Sequence, residues 1–420
     1  MTDVSESGFK SVTRVAAARE RLLAAATPHD RTDRVSLLGS TGRALAAPVD
    51  AERDVPHYAR AAMDGYAVRA SDTFGASDRS PAVLHEAGDE VGPGEAARVH
   101  TGSALPPGAD AVVMVERTER VPGSGAEGEG GDATDRDGGE VEVFDALAEG
   151  ENVGPVGEDV ATGQRLYEAG HRLRPSDLGL LKSTGVREVE VYDRPTVGVI
   201  PTGEELVQRD PAPGEVVETN GLTVSRYVEA WGGRATYREV VTDDPEALRA
   251  AIQRDLTRDV IVTTGGSSVG ARDLIPDVVD DLGEVLVHGV ALKPGHPCAL
   301  GVVHDTPIVM LPGYPVACIV NAVQFLRPLL KYVGHLPESP LPTREARLTR
   351  KIRSEPGVRT FVRVRTEETG DGLEATPTRA SGSGVLSSVA LADGWVVVPE
   401  SREGVPEGET VSVEDWEYQP

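Results

Sequence analysis

One segment constrains the fold more than any other: residues 259–273, D-V-I-V-T-T-G-G-S-S-V-G-A-R-D. It opens with a β-branched run, Val260–Val262, and passes through two threonines into glycines and serines. An unbroken apolar run bounded by small residues predicts a parallel strand buried on both faces. Small residues after such a strand let a ligand approach the backbone closely, and open α/β sheets bind ligands at that edge. We therefore expect an anion-binding site at the end of this strand, closed by Asp273.

The texture of the chain predicts several units within its 420 residues. Residues 12–26 have helical spacing, whereas residues 50–192 carry frequent glycine and proline and short apolar runs, as in irregular β-rich structure. Residues 194–334 alternate strands with helices, which predicts a mostly parallel sheet covered on both faces. From residue 335 the pattern is β again. The acidic stretch 122–140 has almost no apolar content and is expected to be a disordered loop between two hairpin strands.

Besides the opening strand, the α/β region contains candidate strands at 196–200, 234–241, 285–292, 299–303 and 308–311. Its candidate helices are 220–231, 245–256, 274–282 and 316–333, the second starting from an Asp N-cap followed by proline. The C-terminal strands are expected at 346–352, 360–365, 385–391, 395–398 and 410–413.

Composition excludes several classes of function. The net charge of −26 argues against nucleic-acid binding through a basic surface. Only five of the 42 basic residues are lysines, and such an acidic, lysine-poor composition indicates a halophilic source. The sequence has no apolar run of about 18 residues, so we expect no membrane span. The N-terminus has no apolar signal core, so we expect a cytoplasmic protein. Cys298 and Cys318 are expected to be free core thiols.

Several polar clusters follow the predicted strands or precede the predicted helices. They are Thr202-Gly203-Glu204-Glu205, Thr219-Asn220-Gly221, Asp243-Asp244, residues 264–273, Lys293-Pro294-Gly295-His296 and Pro312-Gly313-Tyr314-Pro315. Each cluster alone is weak, because a glycine-rich turn is usually only a turn. Parallel strands bring them to one sheet edge, and that convergence predicts a binding site.

The residue types at this edge indicate the chemistry. Glycines, serines and helix N-termini present N–H groups and hydroxyls to phosphate, and Lys293 supplies a compact positive charge. Asp243 and Asp273 offer the hard oxygens that suit Mg²⁺ beside a phosphoanhydride. The sequence contains no Walker loop, dinucleotide fingerprint, nucleophile elbow or zinc-ligand spacing.

Three further segments lie in the β-rich region: the M-D-G-Y-A stretch at Asp64, the T-G-S stretch at Thr101 and the G-E-D stretch at Asp159. An Asp-Gly pair is commonly just a tight turn. From the residues alone, tight turns and polar groups facing a cleft both remain possible.

An ordered set of motifs gives a specific resemblance. M-D-G-Y-A, R-V-x-T-G, G-E-D, P-T-G-E-E-L, T-N-G, D-D-P, T-G-G-S-S-V-G-x-x-D, L-K-P-G-x-P, L-P-G-x-P-V and S-G-S-G occur in this order. The chain thereby resembles the molybdopterin molybdenumtransferases of the MoeA and gephyrin E-domain type, over about residues 11–413. With the composition, this suggests a halophilic archaeon as the source.

The resemblance implies a multi-domain α/β plus β fold in an elongated homodimer. Residues 1–53 and 146–193 would form a helical and β dimerisation domain, with a β-rich domain, 54–145, inserted in it. Residues 194–334 would form the MogA-like α/β domain that binds molybdopterin, and 335–420 a C-terminal β-barrel-like domain. The active cleft would lie between the α/β domain of one subunit and the inserted domain of the other.

The implied reaction inserts molybdate into adenylylated molybdopterin and releases AMP with Mg²⁺. A molybdopterin adenylyltransferase is the implied partner, with no nucleic acid and no membrane. Carried onto this sequence, the catalytic positions are Asp273, Asp243, Lys293 and Asp64, and the metal pair is Asp243 and Asp273. The cofactor-binding positions are Thr202, Gly203, Glu205, Asn220, Thr264, Gly265, Gly266, Ser268, His296, Pro312, Pro315, Thr101 and Asp159. The oxyanion positions are Lys293, Arg359 and Ser383.

Departures from the family pattern leave alternatives open. His296 replaces the second lysine of K-P-G-K, so anion affinity could depend on pH. Ser267 replaces a valine and adds a hydroxyl, and Gly154-Pro155-Val156 lack the arginines that many members carry before G-E-D. A tungsten-specific insertase and a non-catalytic molybdopterin-binding or scaffold paralogue are the alternative functions.

Overall fold

The computed structural model describes residues 12–121, 139–265, 274–378 and 384–418. The chain begins with helix α1 and two short strands: α1 (Val15–Ala24), β1 (Thr32–Ser36) and β2 (Val49–Asp50). Six of the next seven strands form one sheet in the order β7-β4-β6-β5-β9-β8. These strands are β3 (Arg60–Ala61), β4 (Gly65–Val68), β5 (Ala82–Ala87), β6 (Glu95–Val99), β7 (Ala111–Met114), β8 (Thr118–Val121) and β9 (Glu140–Val143).

The ends of the predicted acidic loop are visible, although residues 122–138 lie outside the described ranges. Strands β8 and β9 pair antiparallel, as expected for the two strands of a hairpin. The chain then returns to its N-terminal strands through β10 (Val153–Gly154), β11 (Arg165–Tyr167), α2 (Pro175–Ser183) and β12 (Glu188–Tyr192). Strand β1 pairs with β12 and β2 with β11, so the chain segments that precede and follow the six-stranded sheet are joined.

The α/β region contains a six-stranded sheet in the order β16-β13-β17-β21-β20-β18. Its first elements are β13 (Thr196–Pro201), β14 (Leu206–Val207), β15 (Val216–Val217), α3 (Asn220–Ala230), β16 (Arg234–Tyr237), α4 (Pro245–Asp255) and β17 (Val260–Thr264). The remaining elements are α5 (Leu274–Leu282), β18 (Glu284–His288), β19 (Leu292–Lys293), β20 (Ala299–Val303), β21 (Thr306–Leu311), α6 (Pro315–Asn321) and α7 (Arg327–Val333). Strands β16, β13, β17 and β21 pair in parallel, and β20 runs against its two neighbours.

The opening strand is buried on both faces, as predicted. Every residue of β17 is buried. Val260 and Val262 pack in one apolar cluster with α1 and with the helix formed by α6 and α7. Ile261 packs on the opposite face with residues of α4 and α5, such as Ile252 and Val278. The continuous apolar run therefore reflects two helical layers around one sheet.

The long apolar helix predicted from residue 316 is present from Pro315 to Val333, with a π-helical segment at Ala322–Leu326 between α6 and α7. By length and composition it could cross a membrane, but 89% of its apolar window is buried inside the protein, as in a core helix. Cys318 on this helix and Cys298 are both free and buried, which confirms the prediction of core thiols. Burial raises the pKa of both thiols.

The C-terminal residues form a closed β-barrel of five strands, β24-β25-β22-β28-β26, in which β26 pairs back onto β24. Its elements are β22 (Thr343–Leu348), β23 (Ile352–Arg353), β24 (Arg359–Thr369), β25 (Gly372–Pro377), α8 (Ser387–Ala390), β26 (Gly394–Val398), β27 (Gly404–Val405) and β28 (Thr410–Glu414). Trp395 and Trp416 stack within the apolar cluster that includes the long helix, so barrel and α/β region share a core.

Three sequence-based strand predictions are wrong. The strand expected at 346–352 is split, because β22 ends at Leu348 and pairs with β28, whereas β23 begins at Ile352 and pairs with β27. The strand expected at 285–292 is split, because Gly289 adopts a φ of 91° and β18 ends at His288. The continuation, β19, pairs with β24 of the barrel rather than with the α/β sheet. The strand expected at 385–391 contains the helical turn α8 instead, where Ser388 Oγ donates to the Val385 carbonyl at 2.7 Å. A short apolar run does not distinguish a strand from a buried helical turn.

Asp259 fastens the N-terminal segment to the start of the sheet. Its carboxylate accepts hydrogen bonds from Arg31 at 2.7 and 2.9 Å, from Thr196 N at 2.7 Å and from Thr196 Oγ1 at 2.8 Å. Burial opposes ionisation, but these donors outweigh it and lower the pKa of Asp259.

We expect Asp259→Asn to lower the free energy of unfolding by about 1–3 kcal/mol near pH 7, because charge-assisted hydrogen bonds are lost. The folded-state pKa lies below the unfolded value of about 3.9. The contribution is therefore complete above that value and disappears as the pH falls through the folded pKa. Urea unfolding of the unaltered protein and of Asp259→Asn, at pH 7 and below pH 4, measures this contribution. The exposed Asp305→Asn is the control; an equal loss in both variants would contradict the role of Asp259.

Candidate active site

The register of the parallel strands aligns three strand ends at one edge of the sheet. Pro201 of β13 is opposite Thr264 of β17, and Thr264 is opposite Leu311 of β21. Beyond these pairs, Thr202 N donates to the Thr264 carbonyl at 2.9 Å and Gly265 N donates to the Leu311 carbonyl at 3.2 Å. The polar segments after β13, β17 and β21 therefore begin side by side, as the sequence predicts.

Two buried hydroxyls at this edge make no hydrogen bond to the described part of the chain. Thr202 and Thr264 are at most 1% exposed, and neither Oγ1 has a hydrogen-bond partner in the described part of the chain. Buried polar atoms are normally hydrogen-bonded. Thr263 Oγ1 is also without a partner but belongs to the opposite face of β17, since side chains alternate along a strand. The pair Thr202 and Thr264 suits an anionic or hydroxyl-bearing ligand.

Gly265 is required by close packing at the edge. It adopts a φ of 111°, and a Cβ on it would lie 2.1 Å from the Thr202 carbonyl oxygen. Across the edge, a Cβ on Gly313 would lie 3.4 Å from Gly265 Cα, so the turns after β17 and β21 nearly touch. The glycines thus bring two backbones together where the ligand is expected.

Asn220, the first residue of α3, links two of the predicted segments. Its Nδ2 donates to the Gly313 carbonyl at 2.7 Å, which joins T-N-G to the turn after β21. The sequence did not indicate the role of Glu218, which accepts hydrogen bonds at the start of α3 from Gly221 N at 2.7 Å and from the Tyr237 hydroxyl. No local pattern marked Glu218 or Tyr237, because their contact joins two separate elements.

Carboxylates gather on one side of the edge. Burial raises the pKa of Asp243, and the negative charge of Glu205 raises it further, while a hydrogen bond from the Glu204 N–H partly offsets both. The predicted cap is confirmed next to it: Asp244 Oδ1 accepts from Ala247 N at 2.9 Å. The side chain of Asp243 thus has no capping role, and the negative charges of Glu205 and Glu204 act on it.

The turn that carries Lys293 packs on helix α6. Gly295 adopts a φ of 121°, and Asn321, fully buried, donates through Nδ2 to the Gly295 carbonyl at 3.1 Å and to the Ala317 carbonyl at 2.8 Å. His296 Nδ1 lies 3.1 Å from the Val290 carbonyl oxygen and must carry a proton to donate there. Asn321 was not predicted, although an amide inside an apolar helix is a visible signal.

Lys293 and Arg359 lie on neighbouring strands, and each is held by a carboxylate. Strand β19 pairs with β24 so that Leu292 is opposite Arg359. Lys293 Nζ is 2.8 Å from Glu355 Oε1, and Arg359 is 3.1 Å from Glu400. Both cations of the predicted oxyanion site are therefore at the junction with the barrel.

Asp64, Thr101 and Asp159 lie elsewhere in the chain. Asp64 Oδ1 accepts from Thr101 N and Thr101 Oγ1, both at 2.7 Å, and these bonds lower its pKa. The exposed Asp159 donates its backbone N–H to the Val55 carbonyl at 2.9 Å. Within the described ranges, no hydrogen bond, ion pair or strand pairing connects these three residues to the sheet edge.

Several predicted positions lie outside the described residues: Gly266, Ser267, Ser268, Asp273 and Ser383. Pro312 and Pro315 are described; Pro312 is buried after β21, and Pro315 begins α6. Among the residues that the structure describes, no three or more His, Cys, Asp or Glu side chains form a metal-binding group.

Three family descriptions match the chain in order. They are "MoeA N-terminal region (domain I and II)" over residues 13–185, "Probable molybdopterin binding domain" over 198–332 and "MoeA C-terminal region (domain IV)" over 345–416. The second coincides with the α/β sheet and its glycine-lined edge, and the third with the closed barrel. The three matches, which together cover most of the chain, place it among the proteins of molybdenum cofactor biosynthesis.

Relatives cover almost the whole chain. A protein of Methanocaldococcus jannaschii named for molybdopterin biosynthesis is 37% identical over 391 residues, 90% of this chain and 91% of the relative. A molybdopterin molybdenumtransferase of Bacillus subtilis is 32% identical, over 91% of this chain and 89% of that enzyme. A crystal structure of a MoeA molybdopterin biosynthesis protein from Pyrococcus horikoshii superposes with a TM-score of 0.79 at 35% identity, over 97% of this chain and 99% of the other. The chain belongs to the MoeA-type molybdopterin molybdenumtransferase family and is a transferase.

We expect Gly265→Ala to lower the free energy of unfolding by about 2–4 kcal/mol, because the methyl group overlaps the Thr202 carbonyl as well as straining the backbone. Gly163→Ala is the matched control, since Gly163 also has a positive φ, 80°, but nothing lies within 4 Å of its Cβ position. That variant should lose only about 1–2 kcal/mol. Urea unfolding measures both, and equal losses would show that close approach at the edge is unimportant.

Proposed function

We propose that this chain inserts molybdenum from molybdate into adenylylated molybdopterin and releases AMP in a Mg²⁺-dependent reaction. The observation that carries the proposal is the strand edge, where the buried hydroxyls of Thr202 and Thr264 have no partner in the described part of the chain. They lie beside the glycine turns after β17 and β21. Membership of the MoeA-type family supplies the substrate class, and the edge supplies donors for a phosphorylated pterin.

The carboxylates beside the edge suit Mg²⁺. Burial and the nearby negative charge of Glu205 raise the pKa of Asp243, and a divalent cation bound by the Asp243 carboxylate would offset both effects. Asp273 is the further ligand proposed from the sequence. When bound, Mg²⁺ would neutralise negative charge on the phosphoanhydride during its cleavage.

Lys293 and Arg359 would receive the oxyanion. The side chain of Lys293 is 52% exposed, and within the described ranges it pairs with one exposed carboxylate, so a doubly charged anion can compete for it. Arg359 presents a planar fork of donors that matches tetrahedral oxyanions. His296 would contribute a positive charge only when protonated.

The reaction balances without an oxidant. Two Mo–S bonds form to the dithiolene, one oxygen of molybdate leaves as water with the two thiol protons, and hydrolysis of the P–O–P linkage to AMP consumes one water. The metal keeps its oxidation state. The protein's task is therefore positioning and charge neutralisation, as in other phosphoanhydride chemistry.

We further propose that the enzyme acts as a homodimer that receives adenylylated substrate from a molybdopterin adenylyltransferase. Support comes from Asp64 and Thr101, which are exposed and bonded to each other, with Met63 beside them 44% exposed. Within one chain these residues do not connect to the sheet edge in the described ranges. The resemblance implies that these residues approach the cleft of a second subunit.

The direct test incubates the purified chain with adenylylated molybdopterin, Mg²⁺ and either molybdate or tungstate at high salt, and measures AMP. We expect AMP release with molybdate, and Asp243→Asn should require at least about tenfold more Mg²⁺ for half-maximal release. Because its pKa is raised, protons should compete with Mg²⁺ for Asp243 at higher pH than for an ordinary aspartate.

Asp244→Asn is the matched control, since asparagine caps a helix about as well as aspartate and the net charge changes equally. Its Mg²⁺ dependence should equal that of the unaltered protein. No AMP with either oxyanion would refute the enzyme proposal. AMP with tungstate alone would favour the tungsten-specific alternative, and equal Mg²⁺ dependence in both variants would refute the role of Asp243.

We expect Glu355→Gln to lower the KM for molybdate by about two- to fivefold, because it frees Lys293 from a surface ion pair worth up to about 1 kcal/mol. Glu407→Gln, at an exposed position of the same barrel, changes the net charge equally and should leave KM unchanged. Steady-state AMP release at varied molybdate measures both. A KM unaltered in Glu355→Gln would place Lys293 away from the oxyanion.

A further inference from the structure

Tyr314 differs from the other tyrosines of the chain because most of its ring is uncovered. It is 63% exposed, more than any other tyrosine, and all the tyrosines lie within the described ranges. Tyr66 and Tyr227, by contrast, are buried and donate hydrogen bonds to glutamates. A single exposed aromatic residue needs no explanation by itself. What Tyr314 does therefore depends on where its ring lies.

The position of Tyr314 is at the edge of the α/β sheet. It directly follows Gly313, and a Cβ on Gly313 would lie 3.4 Å from Gly265 Cα, where the turns after β17 and β21 nearly touch. Consecutive Cα atoms are about 3.8 Å apart. The ring of Tyr314 thus leaves the backbone one residue beyond the closest approach of the two turns. This is the edge at which the hydroxyls of Thr202 and Thr264 have no partner among the described residues.

Hydrogen bonds on both sides fix the backbone of Tyr314. Before it, the Gly313 carbonyl accepts from Asn220 Nδ2 at 2.7 Å. After it, Cys318 N donates to the Tyr314 carbonyl at 2.9 Å in the first turn of α6, of which Tyr314 is the N-cap residue. A ligand would therefore meet a ring whose backbone is already ordered, and this lowers the entropic cost of binding.

One side of the ring is close to the start of the last described range. A Cβ on Gly384 would lie 3.3 Å from Tyr314 Cδ1 and 3.6 Å from Tyr314 Cε1. Both carbons belong to the same side of the ring. A side chain at position 384 would press on that side, whereas glycine leaves the rest of the ring open. The ring is therefore supported along one side while most of its surface remains exposed.

We propose that Tyr314 binds a flat heteroaromatic ring of the substrate by stacking, either the pterin of molybdopterin or the adenine of its adenylyl group. This inference rests on the proposed function, which supplies both rings. The phosphoryl part of the substrate would meet the hydroxyls and N–H groups of the sheet edge, and the ring would lie on Tyr314 beside it. Stacking depends on a π face, which the pterin and the adenine share.

The test measures binding without turnover, by calorimetric titration of molybdopterin under anaerobic conditions and, separately, of AMP. We expect Tyr314→Leu, which keeps apolar bulk but removes the flat ring, to weaken binding of at least one compound by about five- to fiftyfold. The compound affected identifies the stacked ring. Tyr314→Phe should bind as the unaltered protein does, because stacking does not use the hydroxyl.

Tyr332→Leu is the matched control, since Tyr332 is a 43% exposed tyrosine near the other end of the same continuous helix. It should bind both compounds with unchanged affinity. Because the ring of Tyr314 is mostly exposed, Tyr314→Leu should fold, and thermal unfolding checks this. A lower unfolding midpoint with unchanged affinity would show that Tyr314 only packs on the segment at Gly384, which overturns the proposal.

Three further results would contradict stacking by Tyr314. Equal affinities of Tyr314→Leu and the unaltered protein for both compounds would overturn it, and AMP release by the unaltered protein would show that the proposed function still holds. An equal loss in Tyr314→Phe would assign binding to the hydroxyl instead of the ring. Failure of the unaltered protein to bind either compound would refute this inference and the proposed function together.

Discussion

The parallel pairing of β13, β17 and β21 is the constraint on which the site depends. Because Pro201, Thr264 and Leu311 are aligned in register, the segments that follow them leave the sheet at one level. Only then can Gly265 approach the Thr202 carbonyl, and only then does Asn220 reach the Gly313 carbonyl. Apolar clusters pack on both faces of this sheet, so a shift in the register of any strand would disrupt both clusters.

The acidic and basic side chains of the site lie in two separate places. The negative charges of Glu205 and Glu204 act on Asp243, whereas Lys293 and Arg359 lie at the barrel junction, each paired with its own carboxylate. A cation at the first place and an anion at the second would each replace a weak or repulsive contact by a stronger one. Negative charge is thus concentrated beside the sheet edge and positive charge at the barrel junction, even though the whole chain is strongly acidic.

Local patterns predicted those parts of the fold whose signals are local. The two-sided burial of β17 follows from its unbroken apolar run, and the cap at Asp244 follows from an Asp-Pro pair. The split of the predicted strand at Gly289 was missed, because β19 gains its hydrogen bonds from the distant β24. Asn321 and Glu218 were missed for the same reason: each acts on a turn from another element.

The sequence by itself determined the family, the order of strands and helices in the α/β region and the residue types that would meet at its edge, since these depend on motif order and periodicity. Only the tertiary structure decided that Lys293 belongs to the barrel junction and that Arg327 and Lys331 are buried. It also decided that the hydroxyls of Thr202 and Thr264 have no hydrogen-bond partner among the described residues. Burial and pairing between distant segments are set by packing, which no local pattern records.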